Sequence, residues 1–195
     1  MKKIANMKDR IIMIAGIVAA GALVTIAAAN SKSGAAGILD DGAAFRSAAD
    51  IASDEYHYFD SEAVALSSTS NEDSSLREEA IEAANIINDM REDAGLDPLD
   101  WDLNLEQVAD VRAEEAAGVF SHTRPNGQPW NTVNSDIQGG ENLAFGFDDA
   151  QDVVDAWEDS PTHYDNMMYG DFTKGSIAVY QGDDGVWTWS HQFGY

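Results

Sequence analysis

The sequence predicts an α+β domain in which helices pack on a small antiparallel sheet. Three observations carry that reading. Ser75-Leu76-Arg77-Glu78 has capping-box spacing ahead of an apolar run of helical period. Two further runs of that period follow, each with its own start signal. The chain then ends in two alternating stretches joined by Gly182-Asp183-Asp184-Gly185, the pattern of a hairpin. Helices followed by strands point to helices covering an antiparallel sheet.

The first helix is expected over residues 76–94, with Leu76, Ala80, Ala83, Ala84, Ile87 and Met90 facing inward and Gly95 closing it. A second starts near Asp102 or Asn104 and ends at Gly118. Its inner face is Leu105, Val108, Ala109, Ala113 and Ala116, with the stem of Arg112 at the margin. Residues 121–140 contain Pro125, Gly127, Pro129 and a Gly-Gly pair, and read as a long loop. Loops of that length inside a domain are usually functional or partly disordered. Asp148 or Asp149 caps a third helix, with Ala150, Val153, Val154 and Trp157 on one face. Ser160 followed by Pro161 starts a short fourth helix, which ends near Met168 and carries His163 in its first turn. Strands are expected over 175–181 and 186–193. In the second, Trp187, Trp189, His191 and Phe193 share one face, so the two tryptophans and His191 read as core residues.

Residues before this domain have a different character. Lys2, Lys3, Lys8 and Arg10 precede an uncharged run over 11–29, the layout of an export signal. The run is longer than the usual apolar region of about 7–15 residues and close to the roughly 20 that span a bilayer. Residues 1–30 are therefore a signal peptide, cleaved after Ala27-Ala28-Ala29, or an uncleaved anchor, in which case 11–29 is the one membrane contact. Both readings place the remainder outside the cell, secreted or tethered there. Residues 31–73, rich in Ser, Ala, Gly and Asp, read as an acidic, mostly disordered linker with a weak helix near 43–52 and a solvated His57. The domain proper is 74–195.

Charge and composition narrow the function. The chain has 195 residues, 44% of them apolar, and a formal net charge of −24 from 35 acids and 11 bases. A surface so acidic does not bind nucleic acid or anionic membranes, which need Lys or Arg at the phosphates. The acids are spread along the chain, as in a solvated surface that keeps an exported protein soluble. There is no cysteine, which rules out disulfides, thiolate metal sites and a thiol nucleophile.

Five groups of residues, in order, resemble the CAP superfamily of cysteine-rich secretory, antigen 5 and plant pathogenesis-related proteins, in its short bacterial form without cysteines. They are Asn88, Arg91, Gly95-Leu96, Pro98-Leu99 and Trp101-Asp102; Phe120-Ser121-His122-Thr123-Arg124-Pro125-Asn126-Gly127; Gly140-Glu141-Asn142-Leu143-Ala144; Val153-Val154, Trp157, Ser160-Pro161, His163 and Asn166-Met167; and Trp189 with Gln192-Phe193-Gly194. The resemblance implies a three-layer α-β-α sandwich with an open cleft of two histidines and two acids. His122 and His163 match the histidines, and Glu141 matches the first acid. Ser160 falls where animal members have the second. A triad therefore stands in place of the tetrad.

Two neutral imidazoles can hold Zn²⁺ or another divalent cation, with Glu141 as a third ligand or orienting a histidine. Catalytic zinc normally has three protein ligands, and the missing acid removes a separate general base. An alternative is that Glu141 simply hydrogen-bonds a histidine and ties the loop to the fourth helix. Ser160 reads as a helix cap rather than a nucleophile. The reading that follows is an extracellular, non-enzymatic module whose cleft binds a lipid, a peptide or a cell-wall component. The alternatives are a metal-dependent hydrolase acting on peptide or cell-wall material, and an inert surface display module.

Overall fold

A computed structural model describes residues 36–38, 44–54, 57–70 and 74–195. The export segment expected over 1–30 lies outside the described residues. Among those described, no helix is long and apolar enough to cross a membrane.

The domain is a three-layer α-β-α sandwich. Its sheet is antiparallel, in the order β1 (Gly37–Ile38), β2 (Gly140–Phe145), β4 (Trp187–Gly194), β3 (Lys174–Gln181). One face meets α4 (Leu103–Gly118), where Ala109 and Ala113 pack on Ala178 and Tyr180, and Ala116 packs on Leu143. The other face carries Ala144, Ile177, Val179, Trp189 and Phe193. It meets α3 (Ser74–Asp93), α5 (Ala150–Glu158) and α6 (Pro161–Met167) in the main core with Ile87, Trp157 and Met167.

Most elements follow their sequence signals. Asp102 accepts the N–H groups of Asn104 and Leu105 and so caps α4, while Asp149 accepts that of Asp152 and caps α5. Gly95, at φ 77°, reverses the chain after α3, and Leu96 N–H reaches back to Arg91 C=O. Helix α3 differs at its start: Ser74 is already helical, so Ser75 lies inside the helix rather than capping it. Arg91 is fully buried. Its guanidinium donates to the carbonyls of Asp97, Met167, Tyr169 and Phe172, which ties the end of α3 to the segment after α6.

Three regions differ more. Strand β2 is central to the sheet, yet no strand is expected there. It buries Glu141 on one face and Asn142 on the other, so its pattern lacks the apolar alternation that marks a strand. The 121–140 stretch is an ordered loop with a short 3₁₀ turn at Trp130–Thr132. Arg124 pins it by reaching Glu115, Asp60 and Thr132 C=O.

The segment read as a mostly disordered linker also carries structure. Helix α1 (Ala48–Ser53) is closed by a Ser47/Asp50 capping box, and α2 (Ser61–Ser70) places Val64 against Val108, Val111 and Val133. His57 is exposed, with Nδ1 2.6 Å from Asp136 Oδ1. A few anchoring side chains fix this stretch, too few to register as a periodic pattern.

Candidate functional site

The three residues singled out as a possible metal set line one small pocket where β2 begins. Its walls are Ala44, Phe45, His122, Glu141, Asn142, Thr162, His163 and Asn166, around about 30 Å³ of space. His122 and His163 are 7% and 2% exposed, so the site is a narrow notch rather than the open cleft expected.

Glu141 is the hub. Strand β2 points it to the α4 side, where it is fully buried. Arg112 Nε donates to Oε2 at 2.7 Å and Nη2 to Oε1 at 3.1 Å. Gln192, its cross-strand partner, donates Nε2 to Oε2 at 2.8 Å. His122 Nδ1 lies 2.7 Å from Oε1. A carboxylate has about four acceptor positions, and these four contacts fill them. Burial alone would raise the Glu141 pKa. The Arg112 charge, the His122 bond and the Arg112 bonds outweigh it and hold the group down at about 2. The ionised carboxylate makes Nδ1 the protonated nitrogen of His122 in its neutral form.

Arg112 is therefore not marginal. The guanidinium is fully buried and also reaches Glu115 Oε2 at 2.6 Å and Ser121 C=O at 2.8 Å. Paired acids keep it charged despite burial, which on its own would lower its pKa. Its position among apolar residues on the inner face of α4 is the sequence signal for this role.

His163 enters from the first turn of α6. Ser160 has the backbone position of an N-cap, but its hydroxyl makes no capping bond. It lies 2.8 Å from His163 Nδ1 instead, which corrects the capping role expected for that side chain. Ser160 stands behind His163 and is not on the pocket wall. Two asparagines with no role assigned from sequence hold the wall in place. Asn142 Nδ2 donates to His163 C=O at 3.0 Å, and Asn166 Nδ2 donates to Asn142 Oδ1 at 2.9 Å.

These residues do not fit a resident metal ion. Among the described residues no group of three or more His, Cys, Asp or Glu side chains is gathered to hold one. The oxygens of Glu141 are already taken, leaving two imidazoles, fewer donors than structural or catalytic zinc uses. A larger hollow of about 350 Å³ lies apart from the notch, between α3 and residues 99–101. His191 and Gly175 line it, with none of the three candidates.

Comparison with known proteins gives matches of one kind. The model of the CAP family, described as the cysteine-rich secretory protein family, matches residues 84–193. The uncharacterized protein YkwD of Bacillus subtilis is 29% identical over 110 residues, 53% of this chain and 42% of that protein. The match thus spans less than half of that relative. Solved structures that share the fold include three bacterial proteins. An outer surface protein of Borrelia burgdorferi (24% identity, TM-score 0.54) is covered over 92% of its length by 60% of this chain. A cysteine-rich secretory protein of Staphylococcus aureus (18%, 0.50) aligns over 62% of this chain and 40% of its own. An extracellular SCP-domain protein of Bacillus anthracis (22%, 0.50) aligns over 58% and 40%.

Proposed function

This chain belongs to the CAP family of cysteine-rich secretory proteins, and we propose that it is an extracellular binding module whose His122/Glu141/His163 notch recognises a ligand without turning it over. The single observation behind this reading is the state of Glu141. A general base works best with a pKa near the operating pH. Glu141 is held at about 2 and satisfied by four contacts. It positions His122 and has no spare basicity. Export is supported by the basic and apolar opening of the sequence, and by the outer-surface and extracellular names of the fold neighbours.

The test is a panel of peptides, lipids and cell-wall fragments, read by NMR shifts of the His122 and His163 rings and by product formation. One ligand class is expected to shift both rings in the wild type, with the response lost in His122→Ala and no product formed. Turnover that disappears in His122→Ala, or a Zn²⁺ titration with heat that disappears in that variant, overturns the reading in favour of a hydrolase or a metal site. A panel in which nothing moves the rings leaves an inert display module.

A further inference from the structure

We propose that the ligand is an extended polypeptide that adds as a strand to the outer edge of β2, and that the chain's own N-terminal segment occupies that place. The proposal rests on the binding reading above and names its ligand class.

One edge of β2 pairs with β4. The other is met by residues that precede the family-matched region. Gly37 and Ile38 pair with Phe145 and Ala144, and Phe45 bridges to Gly140, all antiparallel. Glu141 N–H donates to Ala44 C=O at 2.9 Å, and Arg46 N–H donates to Gly139 C=O at 2.6 Å. Asn166 Nδ2 lies 3.4 Å from the same Ala44 carbonyl. Such main-chain pairing along a sheet edge is how proteins take up extended peptides, with side-chain pockets setting specificity.

Three consecutive positions have fitted receptors. Ala44 is buried and, with Phe45, forms the wall of the notch that faces His122 and His163. The Phe45 ring sits edge-on to Tyr169 with centroids 4.9 Å apart and is tilted on Phe172 at 5.8 Å, yet stays 41% exposed. Arg46 Nη1 donates to the carbonyls of Ser135 at 2.7 Å and Gln138 at 3.4 Å, while its Nη2 pairs with Asp54 of the same segment. The receptor therefore selects a small residue, then an aromatic, then a basic one. A competitor that repeats this main-chain pairing and these side-chain contacts can replace the segment. A tethered segment has an effective concentration of about millimolar, which keeps the site filled until the tether is weakened or the competitor is abundant.

The test uses the full chain and the acetylated, amidated peptide of residues 43–48 as probe. Hydrogen exchange at the Glu141 amide reads occupancy, since that N–H is bonded to Ala44. The wild type is expected to protect it. In the Phe45→Ala/Arg46→Ala variant exchange rises at least tenfold, and millimolar probe restores protection while a scrambled peptide does not. If that variant fails to fold by near-ultraviolet circular dichroism, Arg46→Gln alone serves in its place. Unchanged exchange in a folded variant, or faster exchange that the probe does not reverse, overturns the proposal. A lipid or glycan that shifts the His122 and His163 rings where the peptide fails defeats the peptide assignment and leaves the binding reading standing. Silence from every ligand class ends both.

Discussion

Arg112 and Glu141 are fully buried and joined by two hydrogen bonds, of 2.7 and 3.1 Å, between a helix and the strand beneath it. Removing one partner of such a pair strands the other charge away from water, at a cost of about 3–5 kcal/mol. Arg112→Met is therefore expected to lose that much stability in urea unfolding. Arg112→Lys should fall between, since an ammonium keeps the charge but not the two-pronged geometry. Equal stability of Arg112→Met and wild type would mean that the pair does not hold Glu141.

Acid stability should have two separable parts. Glu141 binds its proton near pH 2 in the folded chain, against an ordinary value of 4.5. Its contribution is complete above pH 4.5 and is lost as pH falls toward 2. His191 is pushed down to about 3 by burial and by the Arg91 charge, from an ordinary 6.5. The unfolded chain takes up that proton between pH 6.5 and 3, so stability falls with pH across that window as well. Among the described residues its buried Nδ1 has no hydrogen-bond partner, so none of them favours the charged ring there. Unfolding free energies measured from pH 7 to 2 should fall in both windows. His191→Leu should flatten the slope above pH 4.5, and Glu141→Gln the slope below it.

The parts of the fold written as periodic patterns were legible in the sequence: α3, α4, α5 and the β3–β4 hairpin each bury one apolar stripe or face. Strand β2 was not, because Glu141 and Asn142 are buried on opposite faces by polar partners distant in sequence. Motif resemblance brought His122, Glu141 and His163 together, and the notch contains all three. It gave no role to Arg112, whose charge among alanines and valines reads as a snorkelling side chain until the carboxylate across the interface is known. The Ala44–Arg46 strap was hidden for a related reason, since it pairs with β2 through backbone groups, which have no sequence signature, and its side chains meet residues distant in sequence.

Ser160 gives a sharper test of what a residue at a helix start does. Its hydroxyl lies against His163 Nδ1 and makes no capping bond. Ser160→Ala should cost about 1 kcal/mol, the value of one hydrogen bond. The ¹⁵N shifts of the His163 ring should move with it, because the tautomer loses its partner. A cap would show otherwise: amide exchange in the first turn of α6 would speed up and the His163 ring would not respond.

The last prediction concerns where the cooperative unit begins. Val64 of α2 packs against Val108, Val111 and Val133, and Asp60 just before it meets the buried Arg124. If α2 folds with the sandwich, Val64→Ala removes two methyl groups from a shared core and should lower global stability by about 1–2 kcal/mol, from the roughly 0.8 kcal/mol carried by each buried methylene plus the cavity left behind. A detached spacer would behave differently. The variant would then unfold at the wild-type urea midpoint, with only local exchange near α2 altered. Asp60→Ala provides the companion measurement, since it releases one anchor of Arg124 while Glu115 keeps the guanidinium paired. Its effect should be comparable to that of Val64→Ala, because it removes both a half-buried ion pair worth about 1 kcal/mol or less and the cap that Asp60 Oδ1 gives Ala63 N–H, worth about 1 kcal/mol.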